Sequence, residues 1–244
     1  MIKFFRQIRW NLMSENKSGK YLKYALGEIL LVMIGILLAL QVNNWNENRK
    51  LKAVENTLLR SIADDIVRDT IDLNYNLKGY QEIIISTEIL LDHWSQKKSN
   101  NRQFHNALRR VINANFTLTL HSSSFNEAVV QGVTSSNNDP TWAAITRFYN
   151  YTYPLILQLE NDYDGYKTHN NLYSIFKGYF EMDQGNMNYP SINNDKYDEL
   201  ISNKNLYYEI WRAKWIFENI EKRYRKCHEE ATEMISLINN RLKS

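Results

Sequence analysis

Residues 29–40 read Ile-Leu-Leu-Val-Met-Ile-Gly-Ile-Leu-Leu-Ala-Leu, twelve positions without a polar side chain. Extended to Tyr24 and Val42, the stretch reaches about 19 residues, against the roughly 20 that a membrane-crossing helix needs. Tyr21 and Tyr24 stand at one end and Trp45 at the other. From Tyr24 to Trp45 a helix covers about 31 Å at ~1.5 Å per residue, close to a ~30 Å hydrocarbon core. Aromatic side chains of this kind favour the two bilayer interfaces. A cleaved signal peptide fits poorly, because the region ahead of the apolar core is too long and no small-x-small site follows it. A buried core helix would suit the twelve apolar positions but not the aromatics and charges flanking them. The reading is one transmembrane helix over residues 24–45, with the lipid bilayer as its partner.

Basic residues set the orientation. Lys3, Arg6, Arg9, Lys17, Lys20 and Lys23 precede the span, and Arg49, Lys50 and Lys52 follow it. The excess places residues 1–23 in the cytoplasm and residues 46–244 outside the cytoplasmic membrane. Ile2, Phe5, Ile8 and Leu12 keep a helical rhythm among Lys3, Arg6 and Arg9. That segment reads either as a basic amphipathic helix at the inner interface or as a flexible basic tail. About twenty cytoplasmic residues hold no signalling domain, so any inward signal is expected to pass through a partner.

Glu28 is out of place in such a span, since a carboxylate at membrane depth is costly. Helical spacing puts Glu28, Gly35 and Ala39 on one face, and Gly35 and Ala39 form a small-xxx-small pair that lets a second helix approach. Three readings stand. Glu28 stays hydrated at the inner interface near Lys23, it is hidden in a helix–helix contact, or it couples to a proton or ion.

Beyond the span, Pro (3) and Gly (8) are scarce, which disfavours an all-β fold with its many tight turns. Apolar positions at Leu51, Val54, Leu58, Ile62, Ile66, Leu73, Leu77, Tyr80, Ile84, Leu91 and Trp94 alternate by three and four, as on an amphipathic helix. Continuous with the span, that helix would rise roughly 75 Å, and other helices must cover its stripe. Gly79 is a candidate bend. A short helix is expected over residues 102–113. Residues 116–120, Phe-Thr-Leu-Thr-Leu, alternate like a strand but read as an extended loop. Ser123 or Ser124 caps the next helix, and residues 133–140 form a turn cluster. One helix is expected from Thr141 to Phe176 with a kink at Pro154, then a polar break over residues 182–194. A short helix over 195–202 and a last one over 204–242 complete the chain. The fold class is all-α: one N-terminal transmembrane helix followed by an antiparallel helical bundle.

The segment Tyr24-Ala25-Leu26-Gly27-Glu28-Ile29, Gly35-Ile36, and Ala39-Leu40-Gln41-Val42-Asn43-Asn44-Trp45-Asn46-Glu47 resembles the start of an uncharacterised family of Bacteroidota. That family comprises short single-span membrane proteins defined by a domain of unknown function. Phe125-Asn126-Glu127, Gly132, Trp142, Ile145, Phe148, Tyr149 and Tyr151 continue the likeness. The family's pattern has a Ser-Gly corner and paired tyrosines; here Gln131 precedes Gly132, and Asn150 separates Tyr149 from Tyr151. The resemblance implies a bacterial inner-membrane protein with a helical periplasmic part and assigns no activity.

Chemistry-bearing patterns are missing. No two of His93, His105, His121, His169 and His228 have the spacing with Glu that a zinc helix needs. Asp162-Tyr163-Asp164-Gly165 lacks the remaining ligands of a calcium loop, and Ser122, Ser123 and Ser124 beside His121 read as a loop and not a triad. Cys227 cannot form an internal disulfide and reads as an ordinary helix residue, with a dimer-linking or reactive thiol as the other option. Glu229, Glu230 and Glu233 with Arg223 and Arg225 read as a solvated face. The aromatics of residues 142–180 and 207–224 read as bundle core in preference to a ligand pocket. No catalytic residue, metal or cofactor is expected, and a net charge of +3 without a basic stripe gives no reason for nucleic acid. The expectation is a non-enzymatic membrane-anchored interaction or sensory module, partnered by a second copy or another membrane protein. The alternative is a subunit of an ion-coupled or multi-protein membrane complex assembled around Glu28.

Overall fold

The computed structural model describes residue 10 and residues 18–113, 116–135, 139–161, 165–180 and 192–243. Side chains of residues 18–21, 24, 135, 161 and 165–170 lie outside that description. So do the amphipathic segment over residues 2–13, apart from Trp10, the Asp162–Asp164 part of the calcium-like loop and most of the polar break at 182–194. Among the described residues every regular element is helical. The helices are α1 (Ser18–Gln96), α2 (Arg102–Asn113), α3 (Ser123–Val130), α4 (Pro140–Arg147), α5 (Tyr153–Asn161), α6 (Gly165–Phe176), α7 (Asn194–Ser202) and α8 (Lys204–Lys243). Short 3₁₀ turns occupy Val133–Ser135 and Lys177–Tyr179. The chain divides into two compact units, Met1–Asn56 and Thr57–Ser244.

In the first unit the apolar side chains of residues 29–40 are exposed. Leu31 is 63% exposed and Leu37 56%. None of the most apolar 18-residue window is buried, and the helix has the length and composition to cross a membrane. It is compatible with a single-pass anchor.

The second unit is built on the stripe Leu59, Ile62, Ile66, Leu73, Tyr80, Ile83 and Leu90, all buried. Each fully buried side chain of this size contributes roughly 1.5–3 kcal/mol. Leu51 and Val54, expected on the stripe, are exposed. The other wall is α8, which buries Leu206, Ile210, Ala213, Phe217, Ile220, Tyr224, Ala231 and Ile238. Tyr80 packs on Phe217 and Tyr224 at ring distances of 6.4 and 5.4 Å, and Glu88 accepts from Lys214 at 2.8 Å.

At the far end of α1, Lys97 turns to φ +48° and the Lys98 N–H returns to the His93 carbonyl at 3.3 Å. The Tyr197 hydroxyl donates to the Lys98 carbonyl at 2.7 Å and lies 2.6 Å from His93 Nδ1. With that hydroxyl proton spent on Lys98, His93 is the donor. Burial holds the His93 pKa below its ordinary value, with nearby Lys98 reinforcing this and Asp92 opposing it.

The single helix expected from Thr141 to Phe176 is not continuous. It begins at Pro140, where the Asp139 carboxylate caps the Thr141 N–H at 2.8 Å and takes Arg241 at 2.9 Å. Burial raises the Asp139 pKa, but the bonds from Arg241 and Thr141 outweigh it and leave the group below its usual range. Ahead of Pro154, where a kink was expected, the helix changes type. Residues Phe148–Thr152 form a π-helical turn, in which the Tyr153 N–H reaches the Phe148 carbonyl. A proline ring crowds the carbonyl four residues back; the wider turn gives Asn150 the room.

At Gly79, the candidate bend, α1 is helical without interruption. A Cβ there would strike the Phe116 ring, with Cε2 2.6 Å away. Phe116 packs edge-on or tilted against Tyr75 and Tyr80. Gly79→Ala normally gains ~1 kcal/mol of helix propensity; here it should lose ~1–3 kcal/mol through overpacking. Thermal unfolding checks this: Gly79→Ala lowers the midpoint, and adding Phe116→Ala cancels the penalty of the new methyl.

Candidate functional site

Glu28, Gly35 and Ala39 lie on α1 in the first unit, and their spacing keeps them on one helical face. A Cβ at Gly35 would meet nothing within 4 Å. Glu28 is half-buried and engaged in an interaction. Ala39 lines a shallow groove with Leu38, Val42 and Trp45. The Trp45 ring is exposed, with the Arg49 guanidinium 5.6 Å from its centroid. The backbone of Tyr21 and Tyr24 is helical, but their side chains lie outside the described part.

The densest chemistry lies in the second unit, along α1 beside its apolar stripe. Asp65, Asp69, Asp72 and Asn76, at i, i+4, i+7 and i+11, meet the irregular stretch over residues 116–122 and the first turn of α3. The Asn76 amide donates to the Thr117 carbonyl at 3.1 Å. The Thr119 N–H donates to Asp72 at 2.7 Å, the His121 N–H to Asp69 at 3.1 Å and the Ser124 N–H to Asp65 at 3.4 Å. The alternate N–H, that of Leu118, goes to Glu160 of α5 at 2.9 Å. Thus the Phe-Thr-Leu-Thr-Leu stretch has no regular secondary structure, and its N–H partners are side-chain acceptors from two helices. The Asp65 bond also corrects the expected cap of α3. The cap position is Ser122, which makes no side-chain cap bond; a carboxylate from α1 meets the helix start, where the dipole favours negative charge.

Asp69 is fully buried and accepts two further bonds, from His121 Nδ1 at 2.7 Å and from the Tyr153 hydroxyl at 2.7 Å. Tyr149 stacks on Phe125 at 4.5 Å and donates to the His121 carbonyl at 3.3 Å. Burial, then Asp69, drives the Tyr149 and Tyr153 pKa values up, so both stay protonated donors. Glu160 also takes the Tyr224 hydroxyl, and burial raises its pKa despite that bond. Asp69 orients His121 as a carboxylate orients the base of a hydrolytic triad. The neighbouring hydroxyl of Ser122 is instead 3.4 Å from the Asn126 amide, which donates to it. The arrangement holds a backbone in place. Among the described residues no three of His, Cys, Asp and Glu converge as a metal-binding set.

A cleft of about 440 Å³ lies between the π-helical turn and α8, lined by Ala144, Arg147, Phe148, Thr152, Glu230, Glu233, Met234 and Leu237. The Thr152 hydroxyl donates to Glu230 at 2.7 Å. Its volume falls within the range of small-molecule sites, with an apolar floor and charges of both signs. Glu230, half-buried, therefore lines this cleft and is not only part of a solvated face. Cys227, nearby, is buried, and burial pushes its thiol up to about 12; that environment suits packing and opposes the reactive or dimer-linking option.

Asp69→Ala leaves the Tyr153 hydroxyl and both His121 donors without their acceptor. At ~1–3 kcal/mol for each buried group left unsatisfied, the variant should lose at least ~2 kcal/mol. Urea denaturation of the full chain in detergent micelles checks this, with Asp64→Ala on the outer face as a control that changes little.

Comparison with known proteins adds a family and no activity. No curated protein and no solved structure matches the chain. A match to the Family of unknown function (DUF6090) covers residues 28–208, and the chain belongs to that family.

Proposed function

We propose that the protein is a membrane-anchored extracytoplasmic module for interaction or sensing, without enzymatic activity. In this reading residues 1–23 are cytoplasmic, residues 24–45 span a bacterial inner membrane, and residues 46–244 form a periplasmic antiparallel helical bundle. The observation that carries it is the apolar surface of residues 29–40, which is exposed and has no buried position in its most apolar window. A dozen exposed aliphatic side chains in water would be an aggregation liability, and lipid removes it. The excess of lysine and arginine ahead of the span supports the orientation. The resemblance to single-span proteins of Bacteroidota supports the source and compartment. Contacts that descend α8 as they climb α1, from Tyr80–Phe217 to Glu88–Lys214, support the bundle. The cleft beside the π-helical turn offers a sensor its ligand seat.

A second reading makes the chain a subunit of a multi-protein or ion-coupled membrane complex assembled through Glu28, Gly35 and Ala39. What favours it is the open space over Gly35, which a second helix could fill closely.

Two measurements test these readings. The full chain should stay with membranes through alkaline carbonate extraction, and alkaline phosphatase fused after Ser244 should be active. Release by carbonate would defeat the anchor, and an inactive fusion would reverse the orientation. Crosslinking in native membranes tests the second reading. A membrane partner lost in Glu28→Gln or Gly35→Leu upholds it, whereas a pattern unchanged by both variants removes it.

A further inference from the structure

The solvent face of α8 is not polar. Lys204, Tyr208, Trp211, Trp215 and Lys222 follow one another by four, three, four and seven residues and fall within about 40° of one line along the helix at 100° per residue. That line is diametrically opposite the buried row Leu206, Ile210, Ala213, Phe217 and Tyr224. Tyr208, Trp211 and Trp215 are 56%, 50% and 58% exposed, and the Tyr208 and Trp211 rings stack at 6.2 Å. The aromatics of residues 207–224 were expected in the core. Phe217 and Tyr224 are there, and these three and Tyr207 are outside.

The charges around this ladder have a sign. Lys204 and Lys222 are exposed and make no ion pair among the described residues. The acids nearby are already engaged: Glu209 with Arg212 at 3.1 Å, Glu218 with Lys214 at 3.7 Å and Glu221 with Arg225. Thus an aromatic track about 10 Å long lies between two lysines about 27 Å apart at ~1.5 Å per residue, neither of them ion-paired among the described residues. Self-pairing is disfavoured by that layout. An antiparallel two-fold centred between Trp211 and Trp215 sets Lys204 against Lys222, and a parallel one sets each lysine against its own copy. Like charges then meet either way. The track is also one side chain wide, with the Glu218 carboxylate on its shoulder, so a rod fits it better than a broad anionic sheet.

We propose that the Lys204–Tyr208–Trp211–Trp215–Lys222 face of α8 docks an acidic, aromatic- or aliphatic-bearing polypeptide segment of a partner protein. Trp and Tyr supply the anchors, as in interface hot spots, and the two lysines set polarity and register. This rests on the interaction-module reading and names its partner's chemistry. The assay does not involve the apolar helix, so its failure leaves the anchor standing.

The test uses the full chain in neutral-detergent micelles and a labelled random copolymer of L-glutamate and L-tyrosine, followed by fluorescence polarisation. Saturable micromolar binding is expected. Trp211→Ala with Trp215→Ala should weaken it at least about tenfold, the scale of hot-spot truncation, without lowering the thermal midpoint. Lys204→Gln with Lys222→Gln should weaken it and flatten its salt dependence. Four outcomes would overturn the proposal: no copolymer binding, equal binding of poly-L-glutamate, preferential binding of phosphatidylglycerol vesicles, or concentration-dependent self-association that the tryptophan variant abolishes.

Discussion

A stretch of irregular chain leaves backbone N–H groups that must find acceptors, and residues 117–122 have no strand beside them among the described residues. Asp72, Asp69 and Asp65 of α1 take the N–H groups of Thr119, His121 and Ser124, and Glu160 of α5 takes that of Leu118. Buried backbone donors without partners cost about as much as a lost hydrogen bond each. The seam therefore determines where this segment runs, and through it where Phe116 and Phe125 enter the core. Phe116 then fixes Gly79 as glycine, and Phe125 sets the ring stack with Tyr149. Tyr153, one residue past the π-helical turn, closes the seam from the other side on Asp69.

Such a seam is a demanding way to build a core. A buried carboxylate pays a desolvation penalty of several kcal/mol that only full hydrogen bonding offsets. Asp69 meets that condition with three donors, one backbone and two side-chain. Apolar residues at the same four positions of α1 would pack but leave the irregular backbone unsatisfied. The carboxylates are thus tied to this topology, and they define one path for the segment where hydrophobic contact alone would allow several.

Most of the helix layout was legible in the sequence because its cause is local. Arg102–Asn113, Asn194–Ser202 and Lys204–Lys243 have apolar periodicity bounded by polar stops, and the first two end where they were read. The twelve apolar residues of the span need no tertiary context either. The seam was less visible, although its signal was present: Asp65, Asp69, Asp72 and Asn76 keep helical spacing on and beside the stripe of Ile62, Ile66 and Leu73. Four polar residues on the border of a core face demand buried partners. Which partners they find depends on contacts 40 to 60 residues away, and no single-chain pattern encodes those. The π-helical turn is similar, since proline announces a disturbance but not its form.

The misplaced aromatics of α8 follow from a limit of periodicity itself. Tyr208, Trp211 and Trp215 obey the same three–four spacing as Leu206, Ile210, Ala213 and Phe217, so spacing alone assigns both rows to a core. Phase separates them. The rows lie 180° apart around the helix, and one neighbouring body cannot cover opposite faces. A helix that packs on a single side and carries two such rows has one row in excess. In α8 that excess row is aromatic and flanked by lysines, whereas the exposed row of α1 over residues 29–40 is aliphatic and uncharged. Aliphatic surface without charge has its natural counterpart in hydrocarbon. Aromatic surface flanked by exposed lysines has its counterpart in something apolar that also carries negative charge. The two exposed faces therefore call for different surroundings, and the chemistry of each tells them apart.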